Sequence, residues 1–209
     1  MTRVILASAS PRRREFLAAL LADFEVMPAD VPEPLTGDAD ENARRLAADK
    51  ASFVAKQHPG AVVIGADTIV HIAGRSYGKP RDAADAMRII RELRGRSHHV
   101  VTGVAVASGG GLHVASSETA VLMAPLHDDR LAAYVASGRP LDKAGAYAIQ
   151  DSDVPTVASW DGCYCNVVGL PLWRLRALLR SCRLETREPH LSITRCSDCP
   201  ERDASPGRG

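Results

Sequence analysis

Ser8 and Ser10, with Arg12, Arg13 and Arg14 behind them, stand between a short apolar run and a helix-like stretch, as Ser8-Ala9-Ser10-Pro11-Arg12-Arg13-Arg14. Backbone N–H groups at a helix N-terminus attract anions, and small residues let a phosphate come close. Two hydroxyls and three guanidiniums add the donors of a phosphate cradle. The plain alternative is a serine N-cap followed by solvated arginines. Three cations at a helix N-terminus oppose the macrodipole, so that alternative fits less well unless an anion sits there.

Asp67 is the second anomaly. It interrupts the apolar stretch Ala61–Ile72 (AVVIGADTIVHI). A carboxylate buried there alone would cost several kcal/mol, so it must meet a cation, a metal or a proton, or lie at a cleft. A turn over Gly65-Ala66-Asp67-Thr68 is the alternative to a catalytic base or metal ligand.

The third signal is lysine usage. Of 26 basic residues only Lys50, Lys56, Lys79 and Lys143 are lysines. Where arginine serves nearly everywhere, a remaining lysine marks a place that suits a compact ammonium. Lys79 (in Gly78-Lys79-Pro80) and Lys143 (in Asp142-Lys143-Ala144-Gly145) lie where Gly or Pro fixes the backbone, as in loops that present side chains to ligands. Glu33, among prolines, suits a metal carboxylate. Taken singly, each of these is an ordinary surface charge.

Other chemistries find no support. There is no GxxxxGK[ST] loop, GxGxxG or GxSxG elbow. His98 and His99 are adjacent and would point to opposite faces of a strand. Cys196-x-x-Cys199 has zinc-ligand spacing, but it lies in a stretch without apolar period, and Cys163-x-Cys165 is not a standard partner. A zinc-dependent interaction module on these four cysteines is therefore a rival reading only.

The elements that must hold these residues follow from periodicity. Arg3–Ala7 reads as a strand, and Ser10-Pro11 opens a helix with Phe16, Leu17, Leu20 and Leu21 inward. Residues 28–37 hold three prolines and form a loop. Asp40 caps a helix to about Gln57. Ala61–Ala66 and Ile69–Ile72 are strand-like. Asp82 caps a helix with Ala86, Ile89, Ile90 and Leu93 inward, closed by Gly95. His98–Ala107 and Leu112–Met123 are strands about a glycine turn. A short helix spans about Asp129–Ser137. Ala144–Gln150 and Gly162–Val168 read as strands, and Pro171 opens a last helix. The alternation predicts an α/β fold with a mixed sheet. From Arg183 the apolar period stops, so residues 1–182 are read as the domain and 183–209 as a disordered tail whose loss leaves stability and activity unchanged.

A formal net charge of +1 argues against a nucleic-acid partner. No apolar stretch reaches membrane-spanning length and no secretory leader precedes the first strand, so a cytoplasmic setting without a membrane partner is expected. Five cysteines at irregular spacing are not a disulfide framework.

Read in order, the segments resemble the Maf family of nucleoside triphosphate pyrophosphatases. The matching blocks are Leu6–Leu17, the isolated Glu33, Arg45–Ala51, Gly65–Val70, Gly78–Ala83, Leu93–Val106, Asp142–Gln150 and Asn166–Leu172. The resemblance implies an elongated, two-lobed α/β fold, similar to that of inosine triphosphatases, with a mixed, curved sheet and a central cleft. It implies hydrolysis of a nucleoside triphosphate to the monophosphate and pyrophosphate with Mg²⁺ or Mn²⁺. Asp67 would be the general base and share the metal with Glu33; Lys50 and Lys79 would neutralise charge. Ser8, Ser10, Arg12, Arg13, Thr68, Lys143 and Gln150 would bind substrate. A homodimer is expected on the same ground.

Within the family, one group acts on dTTP and UTP and another on modified guanine nucleotides such as 7-methyl-GTP. Arg12, Thr68 and Gln150 match the first group, in which modified pyrimidine nucleotides are further expected substrates. Such an enzyme would limit incorporation of non-standard nucleotides and affect cell division. The rival is a non-enzymatic, nucleotide-binding regulator of septum formation. The chain departs from the family at Asp151, where glycine is usual, and in the stretch 152–161, so a loop near the base pocket is expected to differ.

Overall fold

A computed structural model describes residues 2–202. The first apolar run is β1 (Val4–Leu6), followed by α1 (Pro11–Leu17) with Ser10 as its N-cap. α1 leads back to β2 (Glu25–Val26), parallel to β1. Then come α2 (Ala39–Gln57), β3 (Val62–Ile72), β4 (Arg75–Tyr77) and α3 (Ala83–Leu93). The long hairpin β5 (Ser97–Ser108) and β6 (Gly111–Met123) precedes α4 (Asp128–Ala136), β7 (Val157–Asp161), α5 (Tyr164–Val168) and α6 (Leu172–Ser181). The sheet has seven strands in the order β2-β1-β3-β5-β6-β7, with β4 also on β3. β1 is parallel to β2 and β3, and all other pairs are antiparallel, which is the expected mixed sheet.

The centre of the fold is the packing of α2 on β3 and β5. Ala43, Ala47 and Ala51 recur every four residues and are fully buried, so α2 presents a narrow stripe of methyl groups. Opposite it stand Gly65 and Gly103. A Cβ on Gly65 would lie 2.2 Å from the Ala47 carbonyl oxygen, and one on Gly103 would lie 2.1 Å from that of Ala43. The two glycines let the helix backbone come down directly onto the strands. Lys50 sits on the same buried face between Leu46 and Val54, only 5% exposed.

Several sequence expectations need correction. Ala61–Ala66 and Ile69–Ile72 are one continuous strand, with Asp67 in register with Gly103, so Asp67 is not in a turn. The cap of α2 is Asp38, whose Oδ1 accepts the Glu41 N–H at 2.9 Å; Asp40 lies in the first turn instead. Ala144–Gln150 is not a strand, because Gly145 and Ala146 take left-handed φ values of 69° and 60° that break an extended chain. Gly162–Val168 forms α5 instead of a strand, with Gly169 closing it at φ 108°. β7 was not anticipated; it is a largely exposed edge strand on β6.

The stretch after Arg183 is not loose over its described part. Leu184, Ile193, Cys196 and Cys199 pack into the same apolar cluster as α1 and α6. Trp173 Nε1 donates to the Cys196 carbonyl at 3.1 Å, and Arg195 lies over the rings of Trp160 and Tyr164. Scattered anchors of this kind leave no period for a sequence pattern to show. Residues 203–209 lie outside the described residues.

Candidate active site

β1 covers the edge of β3 only from Val62 to Ile64, and β4 only from Val70 to Ile72. The edge between them, 65–69, has no strand partner, and a cavity of about 710 Å³ adjoins it. Its walls come from the β1–α1 loop, the proline-rich loop before α2, α2 itself, the Gly78-Lys79 turn, and residues 142–150. All eleven sequence-predicted site residues line it: Ser8, Ser10, Arg12, Arg13, Glu33, Lys50, Asp67, Thr68, Lys79, Lys143 and Gln150.

A buried ion cluster occupies one side. Lys50 Nζ meets Asp67 Oδ1 at 2.5 Å and Glu33 Oε1 at 2.6 Å. α2 brings the lysine in from its buried face and β3 fixes the aspartate in mid-strand, so both partners are held by regular backbone. A lysine at a core position is tolerable only with such partners. Burial acts to raise the Glu33 carboxyl. The Lys50 hydrogen bond and the charges of Lys50, Lys79 and Arg13 outweigh it and hold the carboxyl below its ordinary value.

Arg13 is less available than its position in the sequence suggested. Its Nε donates to the Gly169 carbonyl at 2.9 Å, and Nη1 to the Ala66 carbonyl at 2.8 Å and Ser8 Oγ at 3.2 Å. Nη2 donates to Thr68 Oγ1 at 3.0 Å. Four of its five N–H donors are thus engaged. One of them satisfies a carbonyl on the uncovered edge of β3, so Arg13 is first a brace between α1, β3 and the end of α5. Burial lowers its pKa, with the nearby Asp67 charge opposing that shift.

On the other side, Arg12 Nη1 pairs with Asp142 Oδ2 at 3.0 Å, and Lys143 Nζ with Asp142 Oδ1 at 2.7 Å. Burial raises the Asp142 carboxyl, but Lys143 and Arg12 pull it below its ordinary value. Lys79 has neither an ion pair nor a hydrogen bond to a described residue. Five cationic side chains thus line the cavity against the carboxylates of Glu33, Asp67 and Asp142. The excess of two positive charges suits a polyanionic ligand.

The sequence profile of the family described as Maf-like protein matches residues 3–182. The chain belongs to the Maf family. A Thermomicrobium roseum relative named dTTP/UTP pyrophosphatase is 46% identical over 202 residues, covering 94% of this chain and 93% of the relative. A Geobacter sulfurreducens relative of the same name is 51% identical over 174 residues, covering 81% and 91%. A Myxococcus xanthus relative, also so named, is 48% identical over 180 residues, covering 85% and 91%.

Asp151 does not line the cavity; its Oδ2 accepts the Tyr134 hydroxyl at 2.5 Å, which ties the segment after Gln150 to α4. Burial first, then this carboxylate, pushes the Tyr134 hydroxyl far above its ordinary pKa. Sequence reasoning missed Asp142, which pairs with two cavity cations at once. It also missed Tyr147, whose ring forms part of the wall.

Tyr147 links the Maf cavity to a pH-sensitive core residue. His98 is fully buried, with Nε2 2.6 Å from the Tyr147 hydroxyl. Burial lowers its pKa to about 4 from the ordinary 6.5. The unfolded chain therefore binds a proton between those values while the folded chain does not. The stability from neutral His98 is complete above pH 6.5 and is lost as pH falls toward 4, with an amplitude of about 3 kcal/mol. Tm measured from pH 7 to pH 4.5 should fall in the parent, and His98→Gln should flatten that slope. Equal slopes would exclude His98 as the titrating group.

Proposed function

We propose that this chain hydrolyses dTTP and UTP to the monophosphate and pyrophosphate. The observation that carries the reading is the buried Lys50 clasped by Asp67 and Glu33 at the open edge of β3, beside a cationic cavity. The relatives named dTTP/UTP pyrophosphatase, similar to this chain over most of its length, support it.

A nucleoside triphosphate carries about four negative charges at neutral pH. The protein's excess of two positive charges balances half of them, and a divalent cation would supply the rest. Glu33 and Asp67 offer the hard oxygen donors that Mg²⁺ or Mn²⁺ takes, so the residues fit such an ion. The ion would polarise phosphate oxygens and offset charge on the leaving pyrophosphate. Lys50, Lys79 and Arg12 hold the phosphates, with Ser8 and Ser10 beside them at the α1 N-terminus. Phosphate arriving beside Lys50 weakens its hold on Asp67. The freed carboxylate takes the proton of a water that attacks the α-phosphorus, and pyrophosphate leaves. One water is consumed per nucleotide.

Base choice is assigned to Gln150 and its surroundings. Its amide both donates and accepts, which suits the alternating acceptor–donor–acceptor edge of uracil or thymine. Ile149, Tyr147 and Val167 line the same cavity and offer apolar surface to the ring. Lys143 is tied to Asp142 and the Arg139 carbonyl, which fixes the approach to Gln150. A homodimer in the cytoplasm, with no nucleic-acid or membrane partner, belongs to the same reading. No helix among the described residues is long and apolar enough to cross a membrane.

The test is pyrophosphate release across a nucleotide panel with and without Mg²⁺. One net hydrogen bond to the base is worth about 1–1.5 kcal/mol. kcat/KM for dTTP and UTP should therefore exceed that for 7-methyl-GTP by about tenfold or more. Preference for the guanine nucleotide would overturn the base assignment. Release from no nucleotide would overturn the reaction.

A further inference from the structure

His98 points into the core, so its neighbour His99 stands on the opposite face of β5, the face on which α2 packs. Directly in register with it on β3 is His71. On its other side, β6 sets Glu118 opposite Val101, one diagonal step from His99. Three adjacent strands thus bring two imidazoles and a carboxylate to one place. His71 Nε2 lies 3.2 Å from Glu118 Oε1, and His99 Nδ1 lies 2.9 Å from the same oxygen. All three atoms lie within 4.8 Å of one another. The two rings stack with their centroids 5.2 Å apart, and both turn a nitrogen toward Glu118.

We propose that His71, His99 and Glu118 hold one zinc-class divalent cation, in a site separate from the nucleotide cleft. Zinc takes imidazole nitrogen at about 2.0–2.1 Å and carboxylate oxygen at about 2.0–2.2 Å in a tetrahedral array, whose ligand atoms stand about 3.3–3.5 Å apart. The two contacts to Glu118 fall just inside that spacing, so an outward shift of about 0.5 Å or less admits the ion. In the metal-free chain the same contacts are hydrogen bonds from ring N–H groups to the carboxylate, and one cation replaces both. Two imidazoles favour zinc, copper or nickel over Mg²⁺, which takes oxygen ligands. Three protein ligands leave a fourth position for water.

The surroundings suit a cation. Among the described residues, the ion-pair partners of Glu118 are these two histidines alone, although the chain is rich in arginine. No guanidinium therefore occupies the carboxylate. Ser76 stands opposite His71 and Ala120 opposite His99, and these small side chains leave the approach from solvent open. Each ligand rises from a strand whose backbone the ladder holds, so the set is largely preorganised.

The place is distinct from the phosphate site. His71 is four residues beyond Asp67 on the same face of β3, about 13 Å along the strand. Ile69 lies between them, buried against Ala39 and Ala43 of α2 and Val101 of β5. An ion held by His71 does not reach Asp67. It ties β3, β5 and β6 together across their side chains, and because it binds the folded chain it stabilises that state. None of this depends on which nucleotide the cleft accepts.

The test is titration of the chelator-stripped full chain with zinc chloride in excess Mg²⁺, followed by calorimetry. Zinc should bind despite the Mg²⁺, and at about 100 times its Kd it should raise Tm by about 5–10 °C. His99→Ala and Glu118→Gln should each weaken binding by more than about 100-fold, beyond the loss that follows removal of an outer partner of a ligand. Asp67→Asn, at the phosphate site, and His113→Ala, at the other end of β6, should bind as the parent does. Should a variant disturb the sheet by circular dichroism, labelling of the parent with diethyl pyrocarbonate decides the matter. Protection of His71 and His99 by zinc, read by peptide mass, supports the site, and unchanged labelling overturns it. Zinc bound alike by the parent and both ligand variants, or not bound at all, also overturns it.

Discussion

Asp67→Asn should lower pyrophosphate release by about 10²–10⁴-fold, the usual contribution of a general base. The amide keeps the shape of the side chain and its place opposite Gly103 in the β3–β5 ladder. It cannot take a proton from water, and it offers Lys50 a neutral oxygen in place of a charged one. Lys50 keeps Glu33 at 2.6 Å, so the ammonium is not left buried without a partner. The fold should therefore survive with a modest drop in Tm. On the proposed reading the phosphates are held by cations from other elements, so nucleotide affinity should change far less than turnover. Isothermal titration with a non-hydrolysable dTTP analogue, beside kcat on dTTP, separates the two. Near-normal kcat in the Asn variant would remove Asp67 from the role of base and leave it as the anchor of Lys50.

The residues most legible in the sequence were those at odds with their surroundings. Asp67 interrupted an apolar run, and Lys50 was one of few lysines in an arginine-rich chain. Asp67 is costly to bury alone, so it pointed to a partner, and that partner proved to be Lys50, which the sequence had marked by type and not by burial. Charge in an apolar context can be read locally because its penalty is local. Asp142 carries no such penalty at an exposed turn, and its bond to Arg12 spans 130 residues of sequence. Nothing near Asp142 in the chain announces that pairing.

The misread elements share another cause. Residues 163–168 (CYCNVV) are rich in types that favour strands, yet they form α5 because Gly169 closes the turn and the thiols lead inward. Residues 144–150 looked like a strand until Gly145 and Ala146 took left-handed φ values beside Val70. In both places tertiary packing overrode a weak local preference. The contact between Cys165 and Cys196 was hidden for the same reason. The two residues lie 31 apart in sequence, and only the packing of the C-terminal segment joins them.

Gly103→Ala tests how the fold sets the site. The position needs no unusual φ; the added methyl is refused for lack of room, since it would lie 2.1 Å from the Ala43 carbonyl oxygen. That oxygen belongs to helix backbone and cannot rotate away, so α2 must lift by about 1 Å to restore normal contact. Overpacking of this kind costs about 1–3 kcal/mol, and for a chain of this size Tm should fall by about 5–10 °C. The larger effect should be on turnover. Lys50 lies two helical turns beyond Ala43 on the same face of α2, and its 2.5 Å contact with Asp67 depends on that helix lying flat on β3. A displacement of about 1 Å at a reacting group can cost about 10²-fold in rate. Gly103→Ala should therefore lose about two orders of magnitude in kcat while remaining folded at 25 °C by circular dichroism. Gly109→Ala is the control, because a Cβ there meets nothing within 4 Å, and it should leave both Tm and kcat unchanged. Parent-like turnover in Gly103→Ala would mean that the lysine finds Asp67 without the close seat of α2, and that the two glycines serve packing alone.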